Sequence, residues 1–203
     1  MEYRVQTPKC GYYLEYILDK EHVDFLWERI EDAKKLDKSH KNSLAGNISR
    51  SLLLKDKDQK FQELISACLN QYLEVDPDLY KSNEYVLGDS WVNFQKKHEF
   101  NPTHHHGGEF SYVIWMKIPT DWREQHCLPF LDGVEERKKK VSDFEFTYMN
   151  MLGNICHDTY HLDSDMEGHM LLFPAMLQHQ VYPFYECDEE RISISGNILM
   201  NGD

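Results

Sequence analysis

The fold turns on Asn101-Pro102-Thr103-His104-His105-His106-Gly107-Gly108-Glu109-Phe110, which runs straight into Ser111-Tyr112-Val113-Ile114-Trp115-Met116-Lys117-Ile118. The second half is dense in β-branched and aromatic residues and reads as a buried strand. In the first half His104 and His106 are one residue apart, so in extended chain both point the same way and His105 points opposite. Two imidazoles on one face can share a metal ion at roughly 2.1 Å. A second stretch, Phe173-Pro174-Ala175-Met176-Leu177-Gln178-His179, offers a distant third imidazole, and Arg191-Ile192-Ser193 begins twelve positions beyond it. Three ligands on one side of an iron centre leave positions open for a co-substrate and oxygen. A guanidinium fork with a hydroxyl beside it suits a carboxylate held next to that metal.

Each piece has a plainer reading when taken alone. His104 to His106 could be a histidine-rich polar loop, and His179 a satisfied core histidine. The run 191–195 could be an ordinary half-exposed strand with Ile192 and Ile194 on its apolar face. The order HxH, distal His, then Arg-x-Ser is what carries the metal reading. Facial iron sites commonly combine two histidines with one carboxylate, yet His106 stands where the acid is expected. Glu109 is the nearest acid, and regular alternation puts it on the opposite face unless Gly107-Gly108 forms a bulge. We therefore read three histidines as the ligand set, with Glu109 in place of His106 as the alternative. Three neutral ligands would leave iron(II) its full double charge.

The 203 residues suffice for one domain with a sizeable core. Hydrophobic residues make up 41% of the chain, a globular composition. A formal charge of −13 argues against a nucleic-acid binder, which normally presents a basic face. No run approaches the roughly 18 apolar residues that span a bilayer. The N-terminus has no apolar signal core, so a cytoplasmic location is expected. Five cysteines without a CxxC pair fit reduced thiols rather than a disulfide frame or a zinc knuckle.

The first third reads helical. Asp19 is a candidate N-cap for a helix carrying Val23, Leu26, Trp27, Ile30 and Ala33 on one face. A second helix carries Phe61, Leu64, Ile65, Cys68, Leu69 and Tyr72. Residues 38–58 between them read as polar and loop-rich, apart from the more apolar run 44–47, and Asp76-Pro77-Asp78 closes the helical part. From residue 84 the texture changes to short strands, expected at 91–95, 111–118, 144–149, 169–173, 180–184 and 191–199. This predicts a mainly β protein, a jelly roll or double-stranded β-helix with N-terminal helices packed on one side. We expect a single domain over 1–203, helical to about residue 80 and jelly roll over about 84–199.

With these stretches in hand, the chain resembles the iron(II)/2-oxoglutarate-dependent oxygenases. More closely, it is similar to the oxygenases carried by T4-like marine bacteriophages, cyanophages among them. The resemblance rests on residues 101–111, 172–184 and 190–197 and covers roughly 84–199. It implies that His104 and His179 hold Fe(II), with His106 departing from the family's pattern by standing where an acid is usual, and that Arg191 binds the distal carboxylate of 2-oxoglutarate with help from Ser193. It further implies a hydroxylase-type enzyme using 2-oxoglutarate and O2 and releasing succinate and CO2, in a host-cell cytoplasm if phage-encoded. Asn93 is a further expected pocket contact. Trp91, Tyr112 and Trp115 are candidates to screen the pocket from water, and residues 120–140 a candidate lid, with a solvated connection as the plainer reading of that segment. The competing functions are a cupin-like metal enzyme that needs no 2-oxoglutarate and a non-catalytic jelly-roll binding or virion protein. No residue pattern names a prime substrate or an oligomeric state.

Overall fold

The strand that begins at Arg191 lies in the middle of the larger sheet. The computed structural model describes residues 11–41, 46–57, 59–75, 77 and 84–201. Its strands are β1 (Leu14–Ile17), β2 (Arg50–Leu54), β3 (Tyr85–Gln95), β4 (Asn101–His104), β5 (Phe110–Lys117), β6 (Phe144–Met149), β7 (Ile155–Tyr160), β8 (His169–Pro174), β9 (Gln178–Val181) and β10 (Arg191–Met200). They form a six-stranded sheet in the order β1-β8-β5-β10-β3-β2 and a four-stranded sheet in the order β4-β9-β6-β7. Every pairing is antiparallel. The helices α1 (Lys20–Leu36) and α2 (Lys60–Val75) pack on the larger sheet, and α3 (Trp122–His126) lies in the connection between β5 and β6. This is a jelly roll with helices on one side.

Two apolar layers follow from the period of two. Leu26, Ile30 and Ala33 of α1 and Phe61, Leu64, Ile65, Cys68, Leu69 and Tyr72 of α2 meet Val92, Phe94, Tyr112, Ile114, Ile192 and Ile194 of the sheet. On the other face, Val113, Trp115, Leu171 and Phe173 pack against Phe144 and Phe146 of the smaller sheet. Fully burying one such side chain is worth about 1.5–3 kcal/mol, so these layers dominate the fold's stability. α1 starts as expected, with the Asp19 side chain accepting from the His22 backbone N–H at 3.0 Å. It ends at Asp37, whose φ of 46° puts it in the left-handed region that terminates helices.

Several expectations change. The first third is not wholly helical, because β1 and β2 form the two edges of the larger sheet. β2 falls inside the segment read as loop, its Leu52 and Leu54 buried against β3; four or five residues are too few for a period to show. β4 and β7 are additional strands, and the strand expected at 180–184 lies at Gln178–Val181 instead. Pro183 cannot donate to a ladder, and Phe184 leaves the sheet to lie under Arg191. Tyr112 belongs to the helix-side core, not to the face of Trp115, because residues three apart on a strand point opposite ways. Of the run 44–47, Leu44 and Ala45 lie outside the described residues, as do Asp76, Asp78 and Cys10. Cys68, Cys127, Cys156 and Cys187 are free thiols. Among the described residues no helix is long and apolar enough to cross a membrane.

Gly196 is a point where this layering leaves little room. The Tyr112 hydroxyl, 2.6 Å from Ser90 Oγ, crosses it, and a Cβ at 196 would sit 2.2 Å from that hydroxyl. Gly196→Ala is therefore expected to destabilise the protein by about 1–3 kcal/mol, read as a lower denaturation midpoint at unchanged m-value.

Candidate active site

The three histidines arrive by different local routes. His104 ends β4 and stands opposite His179 of β9 in the ladder. His106 lies two residues past the end of β4, where its backbone N–H donates to Ala175 O at 2.9 Å. Simple strand alternation thus predicts the pairing of His104 with His106, although the strand itself stops between them. His105 is exposed. The ring centroids are 5.0 Å apart for His104–His106, 4.3 Å for His104–His179 and 5.0 Å for His106–His179. One ring nitrogen from each falls within 4.8 Å of the others, and His106 Nε2 is 3.2 Å from His179 Nε2.

Second contacts orient two of the rings. His104 Nδ1 is 2.7 Å from Pro102 O, and His179 Nδ1 is 2.9 Å from Leu177 O. A carbonyl can only accept, so each Nδ1 carries the proton and each Nε2 offers a lone pair to the cluster. Burial lowers the pKa of all three, that of His106 to about 4, and the neighbouring imidazoles add to the effect. Neutral imidazole is the metal-binding form. Phe144, Phe146 and Phe173 stand 5–6 Å from the His179 ring and form an apolar wall.

Arg191 opens β10 and is 2% exposed. Its Nη2 donates to Ser142 O at 2.9 Å and to Ser142 Oγ, and its guanidinium lies 5.0 Å from the Phe184 ring centre. Nε and Nη1 are buried without a hydrogen-bond partner. Burial lowers its pKa to about 10, opposed by the charge of Asp143, so it remains a cation at neutral pH. A buried cation with two open donors is costly unless an anion completes it. The planar fork matches a carboxylate.

One cavity of about 310 Å³ joins these groups. His104, His106, His179, Arg191, Ser193, Asn93, Trp91 and Trp115 all line it. Asn93 lies opposite Ser193 in the ladder, accepts from Ser51 Oγ at 2.7 Å and reaches Ser195 Oγ at 3.5 Å. Tyr112 borders the cavity with its hydroxyl turned to Ser90. Glu109 is neither in the histidine cluster nor in the lining. Its backbone is tied to Ile198 O and Ala175 N at 2.9 Å, and the preceding turn at Gly108, φ +91°, does not swing it inward. No residue of 120–140 lines the cavity. Sequence reasoning passed over His40, stacked 5.1 Å from Trp91 at the cavity wall. It also passed over Ser142, an ordinary serine before a strand, whose role appears only when β10 is brought beside it.

The donor set fits both implied cofactors, with three neutral nitrogens converging for a metal and two orphaned guanidinium donors for a carboxylate. No curated protein matches the sequence. Among solved structures, a prolyl-4-hydroxylase from Pseudomonas putida is similar with a TM-score of 0.58 at 13% identity, covering 95% of this chain and 94% of that one. The viral collagen prolyl hydroxylase of Paramecium Bursaria Chlorella virus-1, solved with 2OG, gives 0.56 at 14% identity, covering 92% and 95%. A 2OG-Fe(II) oxygenase-family oxidoreductase from Burkholderia pseudomallei gives 0.51 at 13% identity, covering 92% and 84%. At such identities the likeness is one of fold. The family model described as "Putative 2OG-Fe(II) oxygenase" matches residues 89–197, more than half of the 203, and the chain therefore belongs to the 2OG-Fe(II) oxygenase family, whose cofactors are iron(II) and 2-oxoglutarate.

Proposed function

We propose that this protein is a dioxygenase that hydroxylates a second substrate, with His104, His106 and His179 holding Fe(II) and Arg191 receiving the distal carboxylate of 2-oxoglutarate. When bound, the iron supplies the oxidative chemistry that couples decarboxylation of 2-oxoglutarate to succinate and CO2 with hydroxylation. The observation that carries the reading is the pair of buried, unpartnered guanidinium donors in the same cavity as three converging imidazoles. A structural metal would need no such cation. Ser193 supplies a hydroxyl beside the guanidinium, and Asn93 fixes the neighbouring wall through Ser51. The phenylalanines behind His179 exclude water from that side. The prime substrate enters as a separate unknown, since the prolyl hydroxylases share only the fold.

The deciding measurement is iron-dependent conversion of 2-oxoglutarate to succinate without prime substrate, alongside calorimetric binding of 2-oxoglutarate. The wild type is expected to form succinate slowly, and His179→Ala to abolish it. Arg191→Ala should weaken 2-oxoglutarate binding by roughly 10–150-fold, the worth of a charged hydrogen bond at about 1.5–3 kcal/mol. Iron-loaded wild type that neither binds 2-oxoglutarate nor forms succinate would overturn the proposal. Glu109→Gln should retain the wild-type rate, whereas loss of iron from that variant would return Glu109 to the ligand set.

The depressed histidine pKa values set a pH dependence. Each lies below the usual 6.5 in the folded protein, so as pH falls the unfolded chain takes up protons first. The metal-free protein should thus lose stability progressively below about pH 6.5. Metal binding should show the converse. Three unperturbed histidines would lose roughly fiftyfold in metal affinity between about pH 7.5 and pH 6 through proton competition. Here cobalt(II) affinity should fall only a few-fold over that range, and a fiftyfold loss would show that the imidazoles titrate normally.

A further inference from the structure

A second convergence of ligating groups lies outside the cavity. His126 ends α3, Asp143 immediately precedes β6 and His161 immediately follows β7. One ligand atom from each falls within 4.8 Å of the others. His126 Nε2 is 3.3 Å from Asp143 Oδ2, and His161 Nδ1 is 3.1 Å from Asp143 Oδ1. A tetrahedral ion with bonds of about 2.0–2.1 Å has ligand edges of about 3.3 Å.

His126 is 2% exposed and Asp143 0%. Despite their closeness, His126 Nε2 and Asp143 Oδ2 have no hydrogen-bond partner, each other included. Two buried polar atoms face one another outside hydrogen-bond geometry, and one cation between them would satisfy both. On the far side of the ring, His126 Nδ1 faces Glu136 Oε1 at 3.8 Å, the position from which an outer carboxylate orients a metal-bound histidine. His161 is held by stacking on Trp122, with ring centres 4.4 Å apart. Its side chain is 44% exposed, which gives an ion a way in and leaves a position for water.

We propose that His126, Asp143 and His161 form a second metal site, for a four-coordinate divalent ion of the zinc(II) type, independent of the three-histidine cluster. Two imidazoles and one carboxylate are a donor set that zinc(II) accepts. The ion ties α3 to both ends of the β6–β7 hairpin. It thereby holds the turn at Ser142, whose carbonyl and hydroxyl both receive the Arg191 guanidinium. The ion would add to the anchors of the connection 120–140, which include Gln125 to the backbone of Tyr185, Arg123 to Asp163 and Thr120 to Ser142.

The test counts zinc in the full chain after chelation, zinc(II) titration and gel filtration. It compares the wild type with a triple variant, His104→Ala with His106→Ala and His179→Ala, and with His161→Ala on both backgrounds. The triple variant is expected to retain one zinc, and adding His161→Ala to release it. That loss should exceed the roughly 10–100-fold that outer-shell changes cost in affinity. If the triple variant does not fold, the wild type should fall from two ions to one on His161→Ala alone, since that side chain is half exposed. A folded triple variant without zinc, zinc retained when His161→Ala is added to it, or a wild-type zinc count unchanged by His161→Ala would overturn the proposal. A wild type whose only zinc depends on His161 would instead sink the three-histidine assignment and leave this site standing.

Discussion

Strict alternation along β10 is the constraint on which the rest depends. The strand sits between β3 and β5 in the middle of the larger sheet, so both of its edges are paired. Ile192, Ile194 and Ile198 enter the helix-side core, while Arg191, Ser193 and Ser195 face the cavity. A slip of one residue would put a guanidinium among isoleucines and isoleucines beside the histidines. Both neighbours hold the register, with Ser193 opposite Asn93 on one side and Trp115 on the other. The helices α1 and α2 therefore do more than cover a sheet. By burying the isoleucine face they fix which face is left for chemistry.

The cost of that arrangement falls on Arg191. A cation buried to 2% exposure needs compensation, and the fold supplies only part of it. Ser142 takes Nη2, Phe184 lies beneath the guanidinium and the Asp143 charge opposes its loss of proton. Asp143 is itself buried, and burial raises its own pKa. It is shared among Arg191, His126 and His161, so it does not neutralise the guanidinium alone. What remains unsatisfied points to a guest with negative charge.

How far these features were legible in the sequence depends on whether the signal was local. The stripe from Phe61 to Tyr72 and the Asp19 cap are local, and both appear as read. The faces of His104 and Arg191 followed from period two, which needs no knowledge of the partner strand, whereas His106 lies past the end of β4 and is tied to Ala175. β1 and β2 were illegible because their strand state is imposed by β8 and β3 at distances the local pattern does not carry. The same holds for Ser142 and for the grouping of His126, Asp143 and His161, whose members are separated by 17 and 18 positions. Tyr112 borders the cavity as expected, yet strand parity sets its ring in the helix-side core, on the opposite face from Trp115.

The charge of the site runs against the charge of the molecule. The chain carries −13 in total, yet Glu109 stays out of the cluster and the three histidines are neutral at physiological pH. A divalent ion held there would keep its full charge, and Arg191 adds another positive charge to the same cavity. Exposed acids beyond about 8–10 Å are largely screened at ordinary ionic strength. Inside the cavity, a unit charge about 4 Å away is worth roughly 4 kcal/mol at an effective dielectric of 20. The local field therefore outweighs the global one, and an anion in the cavity would be favoured despite the acidic chain. In the proposed three-histidine site, a carboxylate in place of His106 would remove one unit of that attraction, so the third imidazole would bear on co-substrate affinity as well as on the metal.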